Sequence, residues 1–509
     1  GAMFSSASPA VTQGNDVTIL DIIESARNNI EALEGQEKLQ GNLFFIMGES
    51  YYWLGQDEEA IELYEQSLAK FETVPTKPIP EMIEALIALG DTQARFGDYD
   101  KSISSLETAR DFAADEFGIS SSKAIWADTL IATNLSRQRR YDEALPIFET
   151  ALERYTASPD KDDDLELFLL AGFASTLDDT GRNEESISIR KRVVEKSERS
   201  KGEFHPVTIV RLHNLALGMR RQWRLEEARD QMKIAIDRGT TTWERDNPTR
   251  RNHLGSYAIN LQLLGEFDEA KPYLEEARDL ALEIDGEESG SYVKALLQLA
   301  IWNKESGNLE MAVAQFDDVI PRSIEVYGDR AFITNVCRLY LAQTLNELAE
   351  FDRALNVSKA AMEDLDILTE SLSVTLKMQH ARGLWANGQS EAALQLVGDL
   401  VRLRDGDGEQ SGPQTVSIFS DFAHFYRNAG ALDLAEGYAK RAHDNGQQEL
   451  PEGNWSAALA TAEYAYALAA LGKSADATTL ASIAHVDLTA VFGPDDYRVI
   501  ALNDLIGQE

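Results

Sequence analysis

A ladder of small residues, repeated at a fixed step, constrains this chain more than any other feature. Helical periodicity breaks at Gly55, Gly97, Arg139, Gly181, Trp223, Gly265, Gly307, Ala349, Gly388, Gly430 and Gly472. Successive breaks lie 42 residues apart, with one step of 39 between Ala349 and Gly388. Before each break stands Gly48, Gly90, Ala132, Ala174, Ala216, Ala258, Ala300, Ala342, Ala381, Ala423 or Ala465. After each stands Ala60, Ser102, Ala144, Ser186, Ala228, Ala270, Ala312, Ala354, Ala393, Ala435 or Ala477. Small side chains at matched places let two helices approach toward the short end of the usual interaxial range, roughly 8–10 Å. A glycine between them takes the left-handed geometry that ends a helix. In Tyr257–Ala281 the pattern is complete, with Ala258 in a first helix, Gly265 at the turn, and Ala270 and Ala277 in a second. Asp268 is placed there to cap the second helix. Self-similarity of this kind outranks local propensity and predicts stacked helical hairpins.

A period near 42 also suits armadillo and HEAT repeats, and the order of residue sizes decides between them. Phe44, Met47, Gly48, Tyr51, Gly55, Ala60 and Tyr64 resemble the tetratricopeptide pattern, and the resemblance runs over 41–493. LHNLALGMRRQWRLEEA (212–228), DEALPIFETAL (142–152), GEFHP (202–206) and VFGPDDYRVIALNDL (491–505) resemble the longer subtype found in kinesin light chains and bacterial signalling proteins. The resemblance implies an all-α, right-handed superhelical solenoid of eleven helix-turn-helix repeats. The residues beyond the usual 34 lengthen each helix by about a turn. Pro146 is expected in the first turn of its helix, where a missing N–H is tolerated. Arg139, Trp223 and Ala349 depart from the turn glycine, so those turns are strained or built differently.

In chain order, 1–15 reads as a cloning remnant (Gly1-Ala2-Met3) and a disordered linker. Residues 16–40 form an N-terminal capping helix that opens at Asp16 or Thr18, 41–493 hold the eleven repeats, and 494–509 form a C-terminal capping helix. No domain boundary is expected inside the repeats, and the 39-residue step marks a shortened helix or connection. GNDVTILDIIESARNNIE, directly before the first repeat, resembles the start of the tetratricopeptide region of bacterial membrane-anchored serine/threonine kinases. That likeness implies the sensor or scaffold region of a signalling protein on the periplasmic side, with a cytoplasmic placement as the alternative. The sequence itself carries no kinase motif.

Lys plus Arg number 48 against 86 Asp plus Glu, a net charge of −38. Such a chain opposes nucleic acid and anionic membrane surfaces, whose phosphates call for cations. No apolar run approaches the roughly 20 residues that span a bilayer. The single cysteine, Cys337, excludes an internal disulfide and reads as a small buried hydrophobe.

A search for chemistry yields no catalytic residues, no metal site and no cofactor. Phosphate-binding glycine loops, nucleophile elbows and paired-histidine motifs are absent. The seven histidines (His205, His213, His253, His380, His424, His443 and His485) stand singly, as loop, surface or groove residues. Asp405–Glu409 lacks the twelfth-position acid of a calcium loop, since Val416 stands there. Asp160, Asp162, Asp163 and Asp164 precede a helix and suit its positive end.

By the resemblance, the first helix of each repeat lines a concave groove. Its inward positions supply Arg95, Arg137, His213, Asn214, Arg220, Arg221, Lys304, Arg382, Trp385, His424 and Arg427. Together these predict a local positive path for a protein or peptide ligand, since arginine forks suit carboxylates. Asn214 matches the family asparagine that contacts a ligand main chain. Tyr52 and Trp53 stand at inward positions too, and Trp53, Trp126 and Trp385 are stacking candidates, with core packing as the competing reading. Dipole pairing and neighbouring glutamates compete for the arginines. A scaffold without a groove ligand, homo-oligomerisation, and a small-molecule or signal-peptide receptor are the alternatives.

Overall fold

The computed structural model describes residues 30, 33, 35–159, 161–406 and 413–507. These are helices and short connections, with no strand among the described residues. Two compact units divide the chain, 1–203 and 204–509, where the sequence reading places no boundary. In unit 1 four hairpins pair α1 (Glu37–Trp53) with α2 (Asp57–Thr73), α3 (Ile79–Phe96) with α4 (Tyr99–Phe117), α5 (Ser122–Arg137) with α6 (Tyr141–Ala157), and α7 (Asp163–Asp179) with α8 (Asn183–Lys201). Unit 2 opens with α9 (Pro206–Arg221) and α10 (Leu225–Thr242), α11 (Pro248–Leu264) and α12 (Phe267–Asp285), and α13 (Gly290–Glu305) and α14 (Leu309–Tyr327). It continues with α15 (Phe332–Glu347) and α16 (Phe351–Ala361), α17 (Glu370–Ala386) and α18 (Ser390–Gly406), and α19 (Pro413–Asn428) and α20 (Leu432–Glu449). The last hairpin, α21 (Trp455–Ala470) with α22 (Ser474–Phe492), is covered by α23 (Tyr497–Ile506), which buries Val499 and Leu502. The linker and most of the N-terminal capping segment lie outside the described residues, but Ile30 packs with Phe44 and Met47.

Every rung of the small-residue ladder is buried. A Cβ on Gly48 would fall 2.7 Å from the Tyr64 ring, and one on Gly90 would fall 2.6 Å from Leu106. Where serine replaces alanine its hydroxyl is satisfied across the hairpin. Ser102 Oγ donates to the Gly90 carbonyl at 2.5 Å, and Ser186 Oγ to that of Ala174 at 2.8 Å. Four residues past the second rung most hairpins carry an apolar knob, such as Tyr64, Phe148, Met232 or Phe316. The fourth carries Arg190, tied to the shielded carboxylate of Asp178 at 2.8 Å. Unit 1 ends with this hairpin.

The three exceptional turns keep the glycine geometry. Arg139, Trp223 and Ala349 have φ of 61°, 57° and 59°, alongside 75° at Gly55 and 83° at Gly265. A side chain there costs roughly 1–2 kcal/mol, so these turns are strained. Two local expectations need correction. Helix α12 starts at Phe267, with Glu266 at the cap position and no side-chain cap; Asp268 lies inside the first turn and favours the dipole only. Pro146 lies in the second turn of α6, not the first, as Pro272 does in α12. Each lacks the N–H that would bond to the carbonyl four residues back, on Asp142 or Asp268, so one ladder bond is missing near the start of each helix. The 39-residue step is a shortened second helix: α16 spans 11 residues and gives way to a 3-10 segment, Met362–Ile367. Asp162 caps α7, accepting from the N–H groups of Asp164 at 2.9 Å and Leu165 at 3.2 Å. Asp160 and most of the Asp405–Glu409 stretch lie outside the described residues. Cys337 is fully buried, and burial raises its thiol to about 12.

Unit 2 closes on itself. The Asn454 amide donates to the Leu263 carbonyl at 3.1 Å, and the Trp455 indole donates to that of Gln262 at 3.0 Å. Arg498, held by Asp496 at 2.8 Å, donates to the Glu305 carbonyl at 2.9 Å. Tyr497 reaches Glu347 at 3.2 Å, and Phe267 meets the rings of Trp455 and Phe492. Partners in two of these bonds stand 193 residues apart, between four and five repeats. The C-terminal hairpin and α23 therefore clasp the turns that end α11, α13 and α15.

Two outcomes follow from the strained turns and the clasp. Replacing the exposed Ala349 or Arg139 by glycine should stabilise the chain by about 1 kcal/mol, read as a higher denaturant midpoint. An unchanged or lower midpoint would count against strain. Arg498→Ala should speed amide exchange both at 493–507 and at 303–307, while exchange within α2 stays unchanged.

Candidate functional site

In unit 2 the first helices of the eighth, ninth and tenth hairpins bring four of the sequence candidates together. Arg382, Trp385 and His424 line an open cavity of about 580 Å³ with Glu347, Phe351 and Tyr497. Arg427 stands beside them, with its Nη2 3.1 Å from His424 Nδ1. Trp385 meets Phe425 edge-on with ring centroids 5.8 Å apart. Tyr497 is the one element here from outside the hairpins; the clasp delivers it.

The cations here are not free. Arg427 grips Glu463 through two bonds, 2.9 and 3.3 Å; burial works to raise the Glu463 carboxyl, but His424 and Arg427 hold it below its usual range. Lys304 pairs with Glu347 at 3.1 Å. Burial pushes Asp421 upward, opposed by Arg382, His424 and Lys304, and Gln379 donates to it at 3.4 Å. Burial likewise raises Glu305 to about 7. The expected positive path is thus a mixed-charge surface, in which each base faces an acid from its own or a neighbouring hairpin.

The remaining candidates scatter. Arg95 donates to the Tyr52 carbonyl at 2.8 Å, pairs with Asp57 and lies over the Tyr52 ring. Arg137 is exposed at the end of α5. Arg220 donates to the Ser256 carbonyl at 3.0 Å and ties α9 to α11, while Arg221 is exposed and Asn214 half-buried. His213 is only 5% exposed, so it offers no groove surface. It stacks on the buried His253 with centroids 3.9 Å apart, and Trp243 meets His253 edge-on. In the sequence these histidines stand singly, as loop, surface or groove residues; adjacent first helices bring them into one buried stack. Among the described residues no group of three or more potential metal ligands gathers, and no helix is long and apolar enough to cross a membrane.

Unit 1 holds a second cavity, of about 500 Å³, between the first helices of its four hairpins. Trp53, 78% exposed, stands at it, so it is not a core residue. Trp126 stacks on Phe168 at 5.0 Å. Glu49 and Asp91 also line it. Both occupy inward positions of first helices, the same positions that supply the cationic candidates.

Residues 40–115, 124–189 and 249–325 match the tetratricopeptide-repeat family model. No curated protein shows significant sequence similarity to the chain. Among solved structures, the apo form of RapI is similar with a TM-score of 0.54 at 11% identity, over 73% of this chain and 100% of that one. A Rap protein complexed with competence and sporulation factor gives 0.50 at 12%, over 73% and 99%. The nearly identical TPR-like repeats of a Podosopora anserina kinesin light chain give 0.35 at 17%, over 38% and 92%.

The histidine stack makes stability depend on pH. Burial lowers His213 to about 3 and His253 to about 4. The unfolded chain takes up these protons below about 6.5 and the folded chain only near 3–4, so the stack's contribution is complete above 6.5 and is lost as pH falls. Glu305 acts oppositely, losing its contribution as pH rises from about 4.5 to 7. Urea titrations between pH 6.5 and 5, above most carboxylate titrations, should show stability falling with acid in Glu305→Gln, and a flatter profile once His213→Phe and His253→Phe are added. Equal slopes in the two proteins would disprove the assignment.

Proposed function

We propose that this array of helical hairpins, three stretches of which match the tetratricopeptide-repeat model, is a non-enzymatic module that captures a peptide or protein segment on the side lined by its first helices. The observation that carries this reading is the convergence of Arg382, Trp385 and His424, from two successive hairpins, on one open cavity of unit 2. An aromatic face beside charge-assisted donors and acceptors is the composition of an interface anchor. Arg382 and His424 would bind the ligand backbone or carboxylates, and Trp385 would supply apolar area. The opening stretch supports a sensor or scaffold arm of a bacterial kinase as the setting.

A second reading, a scaffold without a groove ligand, is favoured by the ion pairs of Arg95, Lys304 and Arg427, which already satisfy these cations inside the fold. Panning a random peptide display library on the full chain separates the two. Under the binding reading, a family of selected peptides loses about tenfold or more in affinity on Trp385→Ala, while Arg137→Ala has no effect. Recovery of no peptide that responds to Trp385 would favour the scaffold.

A further inference from the structure

We propose that the unit 1 cavity is a separate subsite for a basic peptide segment, holding a lysine or arginine head against its aromatic walls and the carboxylates of Glu49 and Asp91. This rests on the reading that first-helix surfaces take peptides, and it reverses the ligand charge that the sequence suggests. The walls are Phe45, Tyr52, Trp53, Trp126 and Phe168. Aromatic faces attract cations, most strongly when water is displaced.

Charge complementarity fixes the occupant. Four carboxylates line the cavity, those of Glu49, Glu84, Asp91 and Asp162, against one ammonium, that of Lys123, which Glu84 already binds at 3.0 Å. Glu49 and Asp91 have no ion-pair partner among the described residues. Each accepts a phenol hydrogen instead: Tyr64 donates to Glu49 Oε1 and Tyr52 to Asp91 Oδ2, both at 2.8 Å. Burial and the bond to Asp91 raise Tyr52 to about 12, so its hydroxyl keeps its proton and remains a donor. These phenols orient the carboxylates without neutralising them, and each keeps one oxygen for a ligand. Arg95, over the Tyr52 ring at 3.8 Å, feels the charge of Asp91 but makes its ion pair with Asp57. An acidic or neutral segment would leave this charge unmet, whereas a cationic one meets it.

The test uses the full chain, isothermal titration at physiological salt, and two end-capped peptides alternating glycine with lysine or with glutamate. The lysine peptide should bind and the glutamate peptide should not. Glu49→Gln with Asp91→Asn keeps both phenol acceptors and should weaken the lysine peptide by at least about tenfold. Trp53→Ala, at an exposed position, should also weaken it. Glu58→Gln with Glu59→Gln, exposed on α2, should have no effect, and neither should Trp385→Ala, which separates this subsite from the unit 2 site. Equal binding by wild type and the Glu49/Asp91 variant, an equal loss in the Glu58/Glu59 control, or preference for the glutamate peptide would each overturn the proposal.

Discussion

Close contact between two helix backbones, permitted only where side chains are small, is the condition on which the rest of this structure depends. At Gly48 and Gly90 the space a methyl group would need is already filled by Tyr64 and Leu106. At Ser102 and Ser186 the hydroxyl fits because it bonds to the carbonyl it faces. With contact fixed inside each hairpin, larger residues such as Phe148 and Phe316 pack against neighbouring helices. First helices then fall side by side, and the polar ends of their side chains meet. Both cavities arise from that side-by-side placement.

The hairpins were legible in the sequence because their determinants are local. A small residue, a turn and a second small residue lie within a dozen positions and recur with little variation. The turn geometry was legible even where glycine is missing, since Arg139, Trp223 and Ala349 stand at the matching step. Helix starts were less legible. Asp268 has the chemistry of a cap, yet Glu266 occupies the capping position and makes no such bond. The helix begins where the turn leaves off, whichever side chain stands there.

The electrostatics of the candidate sites were mostly hidden, for one physical reason. Cations here find their acids about one repeat away in sequence: Lys304 with Glu347, Arg427 with Glu463, Arg229 with Glu266, and Lys473 with Glu436. A reading along a single helix weighs partners three or four positions distant and sees the same arginines as unanswered. Conversely, Glu49 and Asp91 look like ordinary solvated acids until stacking sets them beside phenols and indoles. His213 and His253 show the same effect in apolar form, as two residues on successive first helices that become one stack.

The clasp in unit 2 bears on how such a protein can evolve. An open array of repeats can gain or lose a copy anywhere, because each unit meets only its neighbours. Here Trp455 and Arg498 must find the carbonyls of Gln262 and Glu305 across a fixed span of chain. Duplicating or deleting one hairpin inside that span would carry the donors past their acceptors and leave Asp496 and Arg498 facing the wrong turn. Between Gln262 and Arg498 the copy number is therefore locked, and variation in length is confined to the hairpins outside that span.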